Sequence, residues 1–193
     1  MARNREFNTE KVIGKAIDLF WEKGYNGVST QELADEFGIS KSSMYGAFGD
    51  KMQLFTTALE KYRFEVYSDT INRLENCSKV KKEIRSIFTG ISAGAMADKK
   101  SKGCFVINSA VELAPHDKKI AAIVLQHRQG LEKAFADAIR KGIKNGEIPA
   151  GKKPAILGKL FCNAISGIQV DAKYLKDAAY FEKVINALMD MLN

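Results

Sequence analysis

Hydroxyls and amines crowd the starts of successive short helical patterns in this chain: Ser29, Thr30, Ser40, Lys41, Ser42, Ser43, Tyr45 and Lys51. These groups donate hydrogen bonds. Clustered at helix N-termini, they suit phosphate oxygens and base edges. Ser29 and Thr30 offer hydroxyls and amides to a phosphate, and Lys41, Ser42 and Ser43 occupy the first turn of the following helix, where base contacts are made. Tyr45 can give its phenol to a phosphate, Gly46 lies on the same outward face, and Lys51 stands at the start of the next helix. Arg3 and Arg5 in the N-terminal arm carry the charge to reach a minor groove, against the equally good reading of a disordered tail.

Other chemistry is sparse. Cys104 follows a basic loop (Lys99, Lys100, Lys102) and begins a helical pattern, two conditions that lower a thiol pKa. That points to an electrophile or oxidant sensor, against the plainer reading of a small buried residue. His116 and His127 are the only histidines and lack spaced Cys or carboxylate partners, so no metal site is expected. No nucleophile elbow, phosphate loop or metal motif is present, which predicts a protein that is not an enzyme and carries no cofactor.

The elements that position the 29–51 groups are readable. Ser29 and Glu32 form a Ser-x-x-Glu capping box, and Leu33, Ala34 and Phe37 make one apolar stripe. Gly38 stops that helix, Ile39 plugs the turn, and Ser40 caps Lys41–Phe48. Met44, Ala47 and Phe48 turn inward, leaving Lys41, Ser42, Ser43, Tyr45 and Gly46 outside. Two short helices about a Gly turn make a helix-turn-helix. Before it, Thr9 caps a helix over 9–23 with Val12, Ile13, Ala16, Ile17, Leu19 and Phe20 on its apolar face. After it, Asp50 caps a long helix over 51–75.

Further helices are predicted over 80–96, 104–113, 118–145, 154–175 and 178–192, making the chain all-α with about nine helices and no strand. Helix 104–113 is apolar almost all round and should be deeply buried. The expected division is a DNA-binding domain at 1–50 and a larger domain at 51–193. Helix 51–75 is shared between them and is able to carry movement from one to the other.

The net charge is +7, but it is misplaced for a simple electrostatic argument. Residues 1–65 hold 9 Lys and Arg against 10 Asp and Glu; residues 66–193 hold 21 against 13. Local donors must therefore carry any phosphate contact. Three widely spaced cysteines, no stretch of membrane-spanning length and no apolar core near the N-terminus predict a cytoplasmic protein with no membrane role.

The run GISKSSMYGAFGDKMQLF resembles the signature of the tetracycline-repressor (TetR/AcrR) family of bacterial transcriptional regulators. The matching features are Leu33-Ala34, Gly38-Ile39-Ser40, Tyr45, Phe48, Lys51 and Leu54, with Ala16, Leu19-Phe20 and Gly24-Tyr25 before them. Gly46-Ala47 stands where many members carry bulkier side chains. The resemblance implies a repressor that binds a near-palindromic duplex operator. It also implies a C-terminal domain that dimerises and takes a small apolar ligand between its helices.

Residues able to line such a pocket are Tyr62, Tyr67, Phe88, Met96, Cys104, Phe105, Asn108, His127 and Phe135, each equally able to be plain core. Glu112 ends the same helix, facing the pocket or solvent. The homodimer is expected through the last two helices (154–175 and 178–192), with Gly158, Ala164 and Gly167 permitting close approach. The rival reading is a co-regulator or architectural DNA binder whose C-terminal domain takes a protein partner.

Overall fold

Polar side chains start most of the helices in the computed structural model, which describes residues 7–193. Asn8 accepts a hydrogen bond from Lys11 N and opens α1 (Thr9–Lys23), so the cap is Asn8 and Thr9 is the first helical residue. Ser29 opens α2 (Thr30–Phe37), Ser40 opens α3 (Lys41–Phe48) and Asp50 opens α4 (Lys51–Asn76). Then come α5 (Val80–Ala97), α6 (Phe105–Glu112), α7 (Lys118–Lys144), α8 (Pro154–Asp171) and α9 (Ala178–Asp190). Among the described residues the chain is nine helices with no strand, as the sequence predicts.

The capping box carries an extra partner: Ser29 Oγ accepts from Glu32 N, and the Glu32 carboxylate, held mainly by Lys23 on α1, also meets the Ser29 backbone N–H, both of which lower its pKa. Two other local expectations change. Helix α8 ends at Asp171 instead of 175, because Ala172 to Leu175 close into turns. Helix α6 is not buried on all sides. Phe105, Val106 and Ser109 are buried, while Val111 is 76% exposed, because that face borders an open cavity.

Two apolar cores share the molecule. One joins α1, α2, α3 and the first half of α4 to α6 and the start of α7, through Phe20, Phe55, Tyr62, Phe105, Ile120 and Ile123. Its aromatic rings meet edge to face: Phe55 to Phe105 at 5.3 Å and Tyr62 to Phe105 at 5.6 Å. Such pairs add to the burial energy of the rings themselves. The other core lies among the end of α4, α5, α7, α8 and α9, centred on Phe88, Phe135 and Phe161. Helix α6 therefore packs with the helix-turn-helix although it lies far along the chain.

The last two helices divide their apolar residues. Leu157, Phe161 and Ile168 of α8, and Phe181, Ile185 and Met189 of α9, are buried against their own chain. A Cβ on Gly158 would lie 2.5 Å from Glu132 O, so this glycine lets α8 approach α7 within one subunit. What stays outside is a second stripe on and just beyond α8: Ile156, Leu160, Val170 and Tyr174, with Gly167 exposed between them. On and just after α9, Tyr180 and Met191 are exposed.

Candidate functional site

The outward face of α3 is set by what holds α3 down. Met44 is buried in the α1–α4 core and Phe48 packs its ring 6.1 Å from Phe7. Gly38 adopts the left-handed conformation (φ 68°) that closes the turn from α2 to α3. Ser40 Oγ accepts from Ser43 N at 3.1 Å, and its hydroxyl donates to Ser43 Oγ at 2.9 Å, so this pair fixes the first turn. Lys41, Ser42, Ser43, Tyr45 and Gly46 are exposed along one side, with Ser29 exposed and Thr30 half-buried at the neighbouring start of α2. The structure thus brings these sequence-derived candidates onto one surface.

Lys51 stands apart from them. Its Nζ donates to Tyr25 O at 2.5 Å and lies 4.1 Å from the centre of the Tyr25 ring. Burial pushes this ammonium below its ordinary pKa, while the charge of Glu112 acts in the opposite sense. Lys51 is turned inward, where it braces the α1–α2 turn. Arg3 and Arg5 lie outside the described residues.

Glu112 faces neither the cavity nor open solvent. Its carboxylate accepts from Tyr25 N at 3.0 Å and Asn26 N at 2.8 Å. It can approach because Gly24 has no side chain: a Cβ there would sit 2.8 Å from Glu112 Oε2. At the other end of α6, Trp21 Nε1 donates to Gly103 O at 2.9 Å, and Lys102 lies over the Trp21 ring at 3.9 Å. Helix α6 is therefore clasped at both ends to the last turn of α1 and the turn that follows it. No periodicity reveals such a joint, since Glu112 and Tyr25 are 87 residues apart.

A cavity of about 310 Å³ lies on the far side of α6. Its walls are Val66, Tyr67 and Thr70 of α4, Ile91 of α5, Val106, Ile107, Ala110 and Val111 of α6, and Val124, His127, Arg128 and Leu131 of α7. Cys162, Ile165, Ser166 and Gln169 of α8 complete it, with Cys104 at the start of α6. Of the sequence-derived pocket candidates, Tyr67, Cys104 and His127 line it. Tyr62 and Phe105 are packed in the core beside α1, and Phe88 and Phe135 in the core beneath α8. Met96 is half-buried against that second core. Asn108 donates to Lys102 O at 2.8 Å and accepts from Lys173 Nζ at 3.3 Å. The α8 contribution is not readable from the chain, because apolar spacing assigns this helix to the subunit interface and gives no reason to turn Cys162, Ser166 and Gln169 towards α6.

The polar groups in the cavity are unevenly satisfied. Arg128 is paired, its Nε donating to Glu132 at 2.8 Å and its Nη2 to Asn163 at 2.7 Å. His127 Nδ1 is buried without a hydrogen-bond partner. Burial, and then the positive charge of Arg63, lower the His127 pKa to about 4, so the ring is neutral at physiological pH.

The thiols are quiet. Burial raises the Cys104 pKa and outweighs the N–H groups of Ile107 and Val106, and it pushes Cys162 up to about 12. Both are therefore protonated near pH 7, which opposes the sensor reading of Cys104. We expect iodoacetamide to leave Cys104 and Cys162 unmodified in the native protein and to modify them after unfolding, as read by mass spectrometry. Rapid native modification of Cys104 would restore the sensor reading. Among the described residues no cluster of His, Cys, Asp or Glu could hold a metal ion, and no helix is long and apolar enough to cross a membrane.

Known proteins share both halves of this arrangement. Residues 12–58 match the family described as "Bacterial regulatory proteins, tetR family", and residues 81–188 match "Tetracyclin repressor-like, C-terminal domain". The HTH-type transcriptional regulator YezE of Bacillus subtilis (strain 168) is 37% identical over 149 residues, covering 77% of this chain and 76% of its own. The HTH-type transcriptional repressor ComR of Escherichia coli (strain K12) is 25% identical over 185 residues, covering 95% and 86%. In fold, the chain is similar to a cysteine mutant of the TetR family regulator CifR, solved in complex with a 26bp double-strand operator DNA. That likeness has a TM-score of 0.87 at 23% identity and covers 100% of each chain.

Proposed function

We propose that this chain, which belongs to the tetR family of bacterial regulatory proteins, is a homodimeric repressor of a near-palindromic duplex operator, released by a small apolar molecule. The observation that carries the reading is the α3 face. Lys41, Ser42, Ser43, Tyr45 and Gly46 stand outward on a helix whose other side is locked by Met44 and Phe48. A short rigid helix presenting small donors at its first turn suits the major groove. Membership of a family of regulators, with no catalytic constellation in the sequence, sets enzymatic function aside.

The geometry of α6 supports release by a ligand. One of its faces lines the cavity, and its two ends hold α1 through Glu112 and Gly103. A molecule that shifts α6 therefore shifts the α1–α2 turn and the α4 start braced on it by Lys51. The two recognition helices of a dimer would then no longer match successive grooves. The ligand can move this equilibrium only by binding one arrangement more tightly than the other. A cavity of about 310 Å³ falls at the small end of ligand sites, which favours a small molecule over a protein partner as the effector. Such a regulator works in the cytoplasm.

The test reads the recognition face directly. Lys41→Ala and Ser42→Ala are expected to change the ranking of operator variants, each altering discrimination at particular base pairs by about 1–3 kcal/mol. Competition binding with single-base operator variants measures this. A loss equal for every sequence would mean that these residues touch only the backbone, and the reading surface would have to lie elsewhere.

A further inference from the structure

The cavity has an apolar body, and beside it, where Tyr67 stands, lies an unanswered charge. Arg63 lies one turn before Tyr67 on α4, and its Nε is buried without a hydrogen-bond partner. Among the described residues no carboxylate forms an ion pair with it. The other half-buried guanidiniums differ: Arg73 pairs with Glu83 at 2.7 Å and Arg128 with Glu132 at 2.8 Å. His127 Nδ1 faces the same shortage from α7, and its ring lies 5.4 Å from that of Tyr67. Tyr67 lines both the cavity and the adjoining groove that Arg63 lines, so the two spaces meet at its side chain. It fits there only because α7 carries Gly130, where a Cβ would lie 1.5 Å from the Tyr67 hydroxyl oxygen.

A half-buried guanidinium whose Nε has no acceptor is costly, and proteins answer it with an anion or another hydrogen-bond acceptor. Glu75, the one acidic residue along the Arg63 groove, is twelve residues further on α4, about 18 Å away. An imidazole held neutral by burial, and further by the same positive charge, can donate or accept a hydrogen bond at Nδ1.

Building on the reading of this cavity as the effector site, we propose that the effector is an amphipathic monoacid. Its carboxylate sits between Arg63, His127 and Tyr67, and its hydrocarbon body lies against Ile107, Val111 and Ile165. A carboxylate supplies the missing acceptor for the guanidinium in a charge-assisted bond, which a neutral alcohol of the same length cannot match.

Calorimetric titration of the DNA-free dimer with straight-chain alkanoates and the matching alkanols, from hexyl to dodecyl, tests this near neutral pH. The alkanoate is expected to bind about ten-fold or more tightly than its alkanol. Arg63→Met should erase that preference while leaving alkanol affinity unchanged, and Arg63→Lys, which keeps the charge, should retain part of it. Thermal melting of each variant confirms that it is folded. Equal affinity for acid and alcohol, acid preference that survives Arg63→Met, or no alkanoate binding would each overturn the assignment. Operator release is read in parallel. Alkanols that bind as well as acids and release DNA would sink the monoacid and leave the released repressor standing. Alkanoates that bind with Arg63-dependent preference yet leave DNA affinity unchanged would do the reverse.

Discussion

Leu160→Glu is expected to make the protein monomeric and to lower operator affinity on the order of 10³-fold at fixed protein concentration. Leu160 is 38% exposed in the isolated chain, and it continues a stripe with Ile156 one turn earlier and with Gly167, Val170 and Tyr174 after it. Three large apolar residues on one line of α8, with Tyr174 just beyond its end, exceed what a surface helix normally leaves to water. A second copy of the same face, related by two-fold symmetry, would cover it, and Gly167 has open space where a partner helix can lie close. A carboxylate there would be desolvated opposite its own symmetry mate, which disfavours the pair strongly. A monomer keeps one recognition helix and so loses about half of the specific binding free energy. Sedimentation and operator titration of the variant check both parts. A monomer with unchanged operator affinity would show that pairing is not what gives this protein its DNA affinity.

Glu112→Ala is expected to uncouple the cavity from the DNA. The carboxylate holds Tyr25 N and Asn26 N, one contact half-buried and one exposed. Hydrogen bonds to charged acceptors of this kind contribute about 1–3 kcal/mol together at such exposure. Removing them should lower the melting temperature by several degrees, at about 2–4 °C for each kcal/mol in a chain of this size. The more telling result is functional. Operator affinity without ligand should change little, whereas the ligand-induced loss of affinity should shrink, because α6 then keeps its polar clasp on α1 at one end alone, around Gly103 and Trp21. Glu112→Gln, which keeps one acceptor oxygen, should fall between. A variant as responsive as the natural protein would place the coupling in shared helix α4 alone.

How far the sequence reached depends on the distance over which each signal acts. The helix-turn-helix was legible because its determinants are three or four residues apart. Ser40 caps Ser43, Gly38 ends α2, and Met44 and Phe48 share a side of α3. The helices of the C-terminal part followed from apolar spacing, with errors where turns replaced a last turn of helix, as after Asp171. Contacts between distant residues were not legible. Glu112 looked like a helix end, and only the fold brings it against Gly24 and Tyr25. Lys51 looked like a phosphate donor until Tyr25 O was found within its reach. Gly158 looked like part of a dimer face but lets α8 touch α7. The cavity needs side chains from five helices, so periodicity located Cys104 and His127 on buried stripes without separating them from Phe88 and Phe135, which are core.

The account rests on a dimer that reads base sequence through α3, and the most direct test is selection of bound duplexes from a random library at two salt concentrations. A near-palindrome should be enriched, with half-sites about one helical turn or a multiple of it apart, and its preference over other sequences should persist at the higher salt even as total affinity falls. Binding that enriches no sequence and collapses with salt would contradict the account. It would mean that the basic excess beyond residue 65, and not the Ser29 to Phe48 face, carries the contact with DNA.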